Sequence, residues 1–299
     1  MTEPDIERVE TILVVGSGAM GSQIAMVCAL AGYRVAVQDI ETAALEAAEA
    51  ELRRRMARNV EKGRAAAGEV DAAFGRMTFT TGLERAATGA DFVIEAAVEK
   101  LDVKRDIFAR LDEATPDHAV LATNSSTIVS SRVAGSTRRP DRVCNMHFFN
   151  PVLVMECVEV VRNPQTSDAT VQTTVELARR IGKAPVVLRK EISGFLANRI
   201  LRALRDEAVR LQEDGVASVE DIDSACRTAL GHPMGPFELM DLTGIDVSYY
   251  AQLARFEESG DPADRPSAGI AEKFERGELG RKTGKGWYEY DEAGRKQPR

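Results

Sequence analysis

Cysteine, histidine and aromatic residues are scarce in this chain, and it has no long apolar run. The four cysteines, Cys28, Cys144, Cys157 and Cys226, stand apart without C-x-x-C spacing. They lie mostly within apolar segments and read as reduced, small core residues of a cytosolic protein. No apolar stretch approaches the roughly 20 residues that cross a bilayer. The first ten residues are acidic and polar, without the apolar centre of a signal peptide. A cytoplasmic protein with no membrane partner is therefore expected. Lysine and arginine number 39 against 47 aspartates and glutamates, a net charge of -8, and the basic residues are scattered. That argues against a nucleic-acid partner. What is present is ordinary globular composition, 44% hydrophobic and 29% charged. At 299 residues two domains are expected, and a chain this long needs no metal or disulfide to hold its fold.

The first half alternates short apolar runs with helical segments. Strands are expected at 11–15, 34–38, 92–95 and 119–123, and helices at 19–31, 41–62 and 102–113. Strands at 142–148, 156–161 and 184–188 and a helix at 168–181 follow. This β-α-β alternation predicts an α/β fold, a Rossmann-type doubly wound, mainly parallel sheet with helices on both faces. From Ser193, which can cap a helix running to about Asp214, the pattern is helix and loop. The expected division is residues 1–190 as the sheet domain and 191–299 as an all-α C-terminal domain. Residues 259–267, with two prolines, read as a loop, and 294–299 as a terminus without order.

Gly16-Ser17-Gly18-Ala19-Met20-Gly21 directly follows the first strand and opens the first helix. Gly16 allows the tight turn, Gly18 lets the backbone approach a pyrophosphate, and Gly21 lets helix pack on strand. Amides at the helix start, around Ala19 and Met20, would hold the phosphates. Asp39 ends the second strand, 18 residues past Gly21, and no arginine follows it. A carboxylate there accepts ribose hydroxyls and repels a 2′-phosphate, which favours NAD over NADP. Flavins and S-adenosylmethionine use similar folds, so the cofactor motif does not fix the reaction.

The chain has three histidines. His118 sits in a polar stretch and His232 in the turn Gly231-His232-Pro233-Met234-Gly235-Pro236. His147 closes a strand and precedes Phe148-Phe149-Asn150-Pro151, at the edge where open α/β sheets bind ligands. Glu159 shares a strand face with Met155, Cys157 and Val161, so its carboxylate points into an apolar layer and needs a partner. A Glu–His pair would fix the imidazole tautomer and stabilise the imidazolium; a structural pair or an exposed Glu on an edge strand is equally open. Ser126 lies just past a strand end and could instead cap a turn starting at Thr127. Asn198, three residues from both Phe195 and Leu201, puts an amide on the apolar side of its helix.

Taken together, these residues resemble the L-3-hydroxyacyl-CoA dehydrogenase family, including bacterial 3-hydroxybutyryl-CoA dehydrogenases. The resemblance runs from Ile12 to Tyr290. It is carried by Asn145-Met146-His147-Phe148-Phe149-Asn150-Pro151, Val158-Glu159-Val160, Ser193-Gly194-Phe195-Leu196-Ala197-Asn198-Arg199, Pro233-Met234-Gly235-Pro236-Phe237-Glu238 and Lys282-Thr283-Gly284-Lys285-Gly286. It implies His147 as general base, Glu159 as its orienting partner, and Ser126 and Asn198 as donors to substrate oxygens. It also implies that Glu99, Lys104, Asn124, Asn150 and Lys282 line the NAD site, and that the chain dimerises through its C-terminal domain. Lys62 is a candidate phosphate contact for coenzyme A, although with Arg53, Arg54, Arg55 and Arg64 it could be a solvated helix face. Glu156 and Leu153 depart from many relatives, with Glu156 expected to face away from Glu159. The expected activity is reversible NAD-dependent oxidation of an (S)-3-hydroxyacyl-CoA. The alternatives are a dehydrogenase of a non-CoA hydroxy acid, like lambda-crystallin relatives, and an inert NAD-binding structural protein.

Overall fold

The structure, a computed structural model, describes residues 5–297. Contacts divide the chain into two compact units that meet in sequence between Leu196 and Ala197. No helix among the described residues is long and apolar enough to cross a membrane.

The first unit is built on one eight-stranded sheet. Its strands are β1 (Thr11–Val15), β2 (Arg34–Gln38), β3 (Met77–Thr80), β4 (Phe92–Glu95), β5 (Val120–Thr123), β6 (Val143–Phe148), β7 (Cys157–Arg162) and β8 (Ala184–Leu188). They stand in the order β3-β2-β1-β4-β5-β6-β7-β8. All neighbouring pairs are parallel except β6 with β7. The first six follow the Rossmann order, with a crevice where the order reverses between β1 and β4. Helices α1 (Ala19–Leu30), α2 (Thr42–Glu61), α3 (Ala67–Gly75), α4 (Leu83–Ala87), α5 (Leu101–Ala114), α6 (Ser131–Ala134) and α7 (Asp168–Arg180) make the connections.

Alternation along β1 sends its side chains to two cores. Ile12 and Val14 join Ile24, Met26 and Phe92 on one face, while Leu13 and Val15 join Phe108, Leu111 and Leu121 on the other. A sheet covered on both faces needs such continuously apolar strands. Strand β3 was not expected: it is four residues long at the sheet edge, and only Met77 in it is fully buried. Short edge strands give almost no periodic signal.

The second unit is helical: α8 (Ala197–Glu213), α9 (Val219–Thr228), α10 (Pro236–Thr243), α11 (Ile245–Ser259) and α12 (Ala268–Glu275). Its core gathers Val209, Phe237, Met240, Ile270, Trp287 and Tyr288. Two buried aspartates explain its glycine motifs. Asp223 accepts the amides of Phe237 and Glu238 at the start of α10 (2.9 and 3.0 Å), and a Cβ on Gly235 would lie 2.2 Å from its Cγ. Asp241 accepts the amides of Trp287 and Tyr288, both at 2.9 Å, and a Cβ on Gly286 would lie 2.1 Å from its Oδ1.

Two expectations need correction. Ser193 does not cap α8, because a turn containing Gly194 (φ 74°) and Phe195 (φ 49°) precedes the helix. Within 294–299, where no order was expected, Lys296 bridges Tyr290 and ion-pairs with Glu238; the last two residues lie outside the described part, as do the first four of the acidic N-terminal stretch.

Candidate active site

The glycine turn occupies the crevice at the end of β1, and its three glycines do different work. Gly16 has φ 97°, and a Cβ there would sit 2.6 Å from the Ala96 carbonyl oxygen. A Cβ on Gly21 would sit 1.9 Å from the Gly16 carbonyl oxygen. Gly18 is different, because a Cβ there meets no protein atom within 4 Å. Gly18 instead lines a cavity of about 390 Å³ shared with Asp39, Ile40, Ala96, Val98 and Ile107. Those apolar walls suit a flat heteroaromatic ring, and the free amides at the start of α1 suit phosphate oxygens. No acidic side chain stands in the first turn of α1 to compete for them.

Asp39 stands at the end of β2 beside this turn. Its Oδ2 accepts both the amide and the hydroxyl of Ser17 at 2.8 Å, and its Oδ1 takes a longer contact from the Glu41 amide at 3.3 Å. Partial burial opposes ionisation, but the two Ser17 bonds outweigh it and hold the carboxyl below its usual range. The residues present therefore fit a dinucleotide with a free ribose diol.

The loops after β4 and β5 are tied by a buried network. Glu95, fully buried, takes Lys104 Nζ at 2.7 Å, Thr123 Oγ1 at 2.7 Å and the Ala97 amide at 2.7 Å. Glu99 takes Thr127 Oγ1 at 2.6 Å, the Ser125 hydroxyl, and Lys104 at 3.3 Å. Burial raises the Glu99 carboxyl, and the Ser125 and Thr127 hydroxyls more than reverse it, so it lies below its usual range. Lys104 is only 1% exposed. Its ammonium meets Glu95, Glu99 and, at 3.4 Å, the Ala97 carbonyl. Glu95, which sequence reasoning missed, had one available signal, an acid closing an otherwise apolar strand.

His147 and Glu159 are directly opposed in the antiparallel β6–β7 pair, so their side chains share a sheet face. His147 Nδ1 lies 2.9 Å from Glu159 Oε2, and both residues are buried. The other carboxylate oxygen accepts the Leu196 amide at 2.9 Å. The imidazole is flanked by Phe149 and Phe195, with ring centroids at 4.7 and 5.4 Å. Phe195 is fully buried although it is held at positive φ. That unusual conformation seats its ring against His147 and turns the next amide onto Glu159.

Ser126 makes no hydrogen bond among the described residues, and no helix starts at Thr127. The turn is held instead by Ser125 Oγ, which accepts the Ile128 amide at 2.7 Å. Asn124 Oδ1 accepts the Phe148 amide at 2.9 Å, joining the ends of β5 and β6, while Asn150 is exposed. Leu153 packs half-buried against the first core, and Glu156 is exposed just before β7. In the second unit Asn198 is the second residue of α8 and makes no hydrogen bond among the described residues; Phe195, outside the helix, is not its neighbour on a helical face. Lys282 pairs with Asp246 at 2.6 Å.

The remaining candidates are peripheral. Lys62 is exposed at the end of α2, and Arg53 and Arg55 pair with Glu49 and Glu51 on that helix (2.7 and 2.6 Å), as a solvated face does. His118 pairs with Asp91 at 2.9 Å. His232 lies in a turn, its amide donating to the Cys226 carbonyl at 3.1 Å. Cys28, Cys144 and Cys226 are buried and Cys157 half-buried, all as free thiols.

Comparison with known proteins covers almost the whole chain. Residues 11–192 match the 3-hydroxyacyl-CoA dehydrogenase NAD binding domain, and residues 194–290 match the C-terminal domain of the same family. A probable 3-hydroxybutyryl-CoA dehydrogenase of Bacillus subtilis is 38% identical over 95% of this chain and 99% of its own. The crystal structure of (S)-3-hydroxybutyryl-CoA dehydrogenase from Ralstonia eutropha superposes with a TM-score of 0.85, at 36% identity, covering 95% of this chain and 100% of that one. A diketoreductase described as acting on dicarbonyl compounds also superposes with a TM-score of 0.85, at 37% identity over 94% of this chain and 99% of its own.

Proposed function

The chain belongs to the 3-hydroxyacyl-CoA dehydrogenase family, and from that premise we propose that it oxidises the C3 hydroxyl of an (S)-3-hydroxyacyl-CoA, such as 3-hydroxybutyryl-CoA, reversibly and with NAD. The observation that carries this reading is the buried His147–Glu159 hydrogen bond at the end of β6. Glu159 accepts the Nδ1 proton, which leaves the Nε2 lone pair free to take the substrate's hydroxyl proton. The carboxylate then balances the imidazolium that forms, and the surrounding phenyl rings keep water from competing. In the reverse direction the same nitrogen returns the proton to the carbonyl oxygen. Ser126 and Asn198, with polar groups left unpaired, hold oxygens of the acyl group.

NAD, when bound, supplies the hydride acceptor. Gly16, Gly18 and Gly21 make room for it, the amides of Ala19 and Met20 take its phosphates, and Asp39 takes a ribose hydroxyl. Glu99, Asn124, Asn150 and Lys282 complete its site, with Lys104 acting through Glu99. Lys62 is a coenzyme A phosphate contact. Residues 1–190 form the cofactor domain and 191–299 the substrate and dimerisation domain. A homodimer through the second unit is supported by large apolar side chains left open there, among them Ile200 at 61% and Tyr250 at 58% exposure. A cytoplasmic setting agrees with the free thiols.

The diketoreductase relative favours one second reading, reduction of a carbonyl substrate that carries no coenzyme A. NADH consumption with acetoacetyl-CoA and with free acetoacetate separates the two. Turnover confined to the thioester supports the main reading, and equal or faster turnover of the free acid overturns it.

A further inference from the structure

Strand β6 is apolar except at two positions, two residues apart. Cys144, Met146 and Phe148 pack into one core of the first unit, so Asn145 and His147 share the opposite face of the sheet. Val143 begins that face in the second core. His147 is the base of the proton transfer, in which Asn145, fully buried, has no part. Burying an amide side chain costs free energy unless its donors and acceptor are paired.

Among the described residues, the bonds of the Asn145 side chain all go to one loop, the segment after β5. Its Nδ2 donates to the Ser125 carbonyl at 3.3 Å and to the Ile128 carbonyl at 3.2 Å, and its Oδ1 accepts the Ser130 amide at 2.7 Å. These three bonds fall on both sides of Ser126. The loop demands two donors and one acceptor from β6, which an amide meets and neither a carboxylate nor a hydroxyl can. Hydroxyls are dense in the loop, and their use is uneven. Ser125 and Thr127 donate theirs to Glu99, the latter at 2.6 Å, and Ser130 donates to Glu191 at 3.0 Å. Of these four residues only Ser126 has no hydrogen bond among the described residues. Tying down every neighbour around one open hydroxyl presents that hydroxyl to a ligand.

We propose that Asn145 is a positioning residue for the reaction: its amide holds the loop that presents Ser126 against the strand that carries His147. The proposal rests on the reading above, in which Ser126 binds a substrate oxygen and His147 takes the hydroxyl proton. Asn145 and His147 are two residues apart on one strand, a span of about 7 Å. That strand is held by β5 on one side and β7 on the other. The Ser126 donor and the base are thereby referred to one piece of rigid backbone. Other anchors of the loop are independent of Asn145: Asn124 bonds to Phe148, and Glu191 accepts the Ser131 amide at 2.8 Å. Without the Asn145 amide the loop stays attached, but the part around Ser126 can shift. A displacement of about 1 Å is enough to cost about 10²-fold in rate.

A double-mutant cycle on the intact enzyme, with 3-hydroxybutyryl-CoA and NAD, tests this. Asn145→Ala and Ser126→Ala should each lower kcat/KM by about tenfold to hundredfold. In the Ser126→Ala background the further loss from Asn145→Ala should be no more than about threefold, because no hydroxyl is left to misplace. The melting temperature should behave differently, falling equally on Asn145→Ala in either background, since Ser126 bonds no described residue. Asn145→Asp, of the same shape but without the donors, should repeat the pattern if the alanine variant does not fold. A full-sized loss in both backgrounds, or parent-like kcat/KM in a folded Asn145 variant, would overturn the proposal. Failure of both Asn145 variants to fold would make the residue structural and overturn it as well. Parent-like kcat/KM in Ser126→Ala would overturn the role of Ser126 and the proposal with it, and no turnover by the unmodified protein would overturn the dehydrogenase reading itself.

Discussion

Two alanine substitutions in the glycine turn should have opposite consequences, and the structure gives the size of each. At Gly21 the new Cβ would stand 1.9 Å from the Gly16 carbonyl oxygen, where ordinary contact begins at 3.4 Å. Relief needs a shift of roughly 1.5 Å between α1 and the turn, and overpacking of a rigid contact costs about 1–3 kcal/mol or more. For a unit of this size that lowers the melting temperature by roughly 2–12 °C. At Gly18 the backbone has φ −59°, which alanine adopts without strain, and the Cβ meets no protein atom within 4 Å. Gly18→Ala should therefore melt at or slightly above the parent temperature, since alanine restricts the unfolded chain by about 0.4–1 kcal/mol. Its methyl group enters the cavity where backbone must approach the pyrophosphate, so NADH affinity should fall by about tenfold or more. Thermal unfolding and NADH fluorescence titration on both variants read the two effects separately. Parent-like NADH affinity in Gly18→Ala, or destabilisation matching that of Gly21→Ala, would refute this division of roles.

His147→Gln should keep NADH affinity within about threefold while kcat falls by about 10²–10⁴, measured by single-turnover NADH formation. Glu159→Gln should lose activity on a similar scale. Both carboxylate oxygens accept an N–H, from His147 and Leu196, and an amide offers only one accepting oxygen, so the imidazole is pushed to the tautomer that blocks Nε2. Thiol labelling at neutral pH should leave Cys28 and Cys144 silent until the chain unfolds, because burial raises them to about 12 and about 11; rapid native labelling of either would contradict their packing. In Asp39, Asp91 and Asp112, burial opposes ionisation but hydrogen bonds from Ser17, His118 and the Arg138–Arg139 pair outweigh it, holding all three below the usual 3.8. Their stabilisation is therefore complete above pH 3.8 and is lost as pH falls through the lowered values, so Asp112→Asn should flatten the acid limb of the stability curve.

The parts of this molecule legible in the sequence are those set by a local period. Strand β1 reads as a strand because four successive apolar residues serve two cores at once. The Glu159–His147 pairing was open to reasoning because an acid with apolar face-mates must find a partner, and the neighbouring strand ends in the one titratable side chain of suitable reach. Strand β3 depends on pairing with β2, a segment distant in sequence, and no local period encodes it.

The site departs from local rules at the residues that hold its charge in place. A helix starting at Ser193 satisfies propensity and capping, yet the chain spends four residues on a turn with Phe195 at positive φ. What overrides the local preference is tertiary: Glu159 needs a second donor, the Leu196 amide, and His147 needs an apolar wall. Lys104 shows the same logic. Its position in the first turn of an exposed-looking helix suggests a surface cation, but two carboxylates at the ends of β4 and the following loop draw it inside. A buried charge is tolerated only when its partners are in place, so such residues reveal their position through long-range geometry and not through spacing.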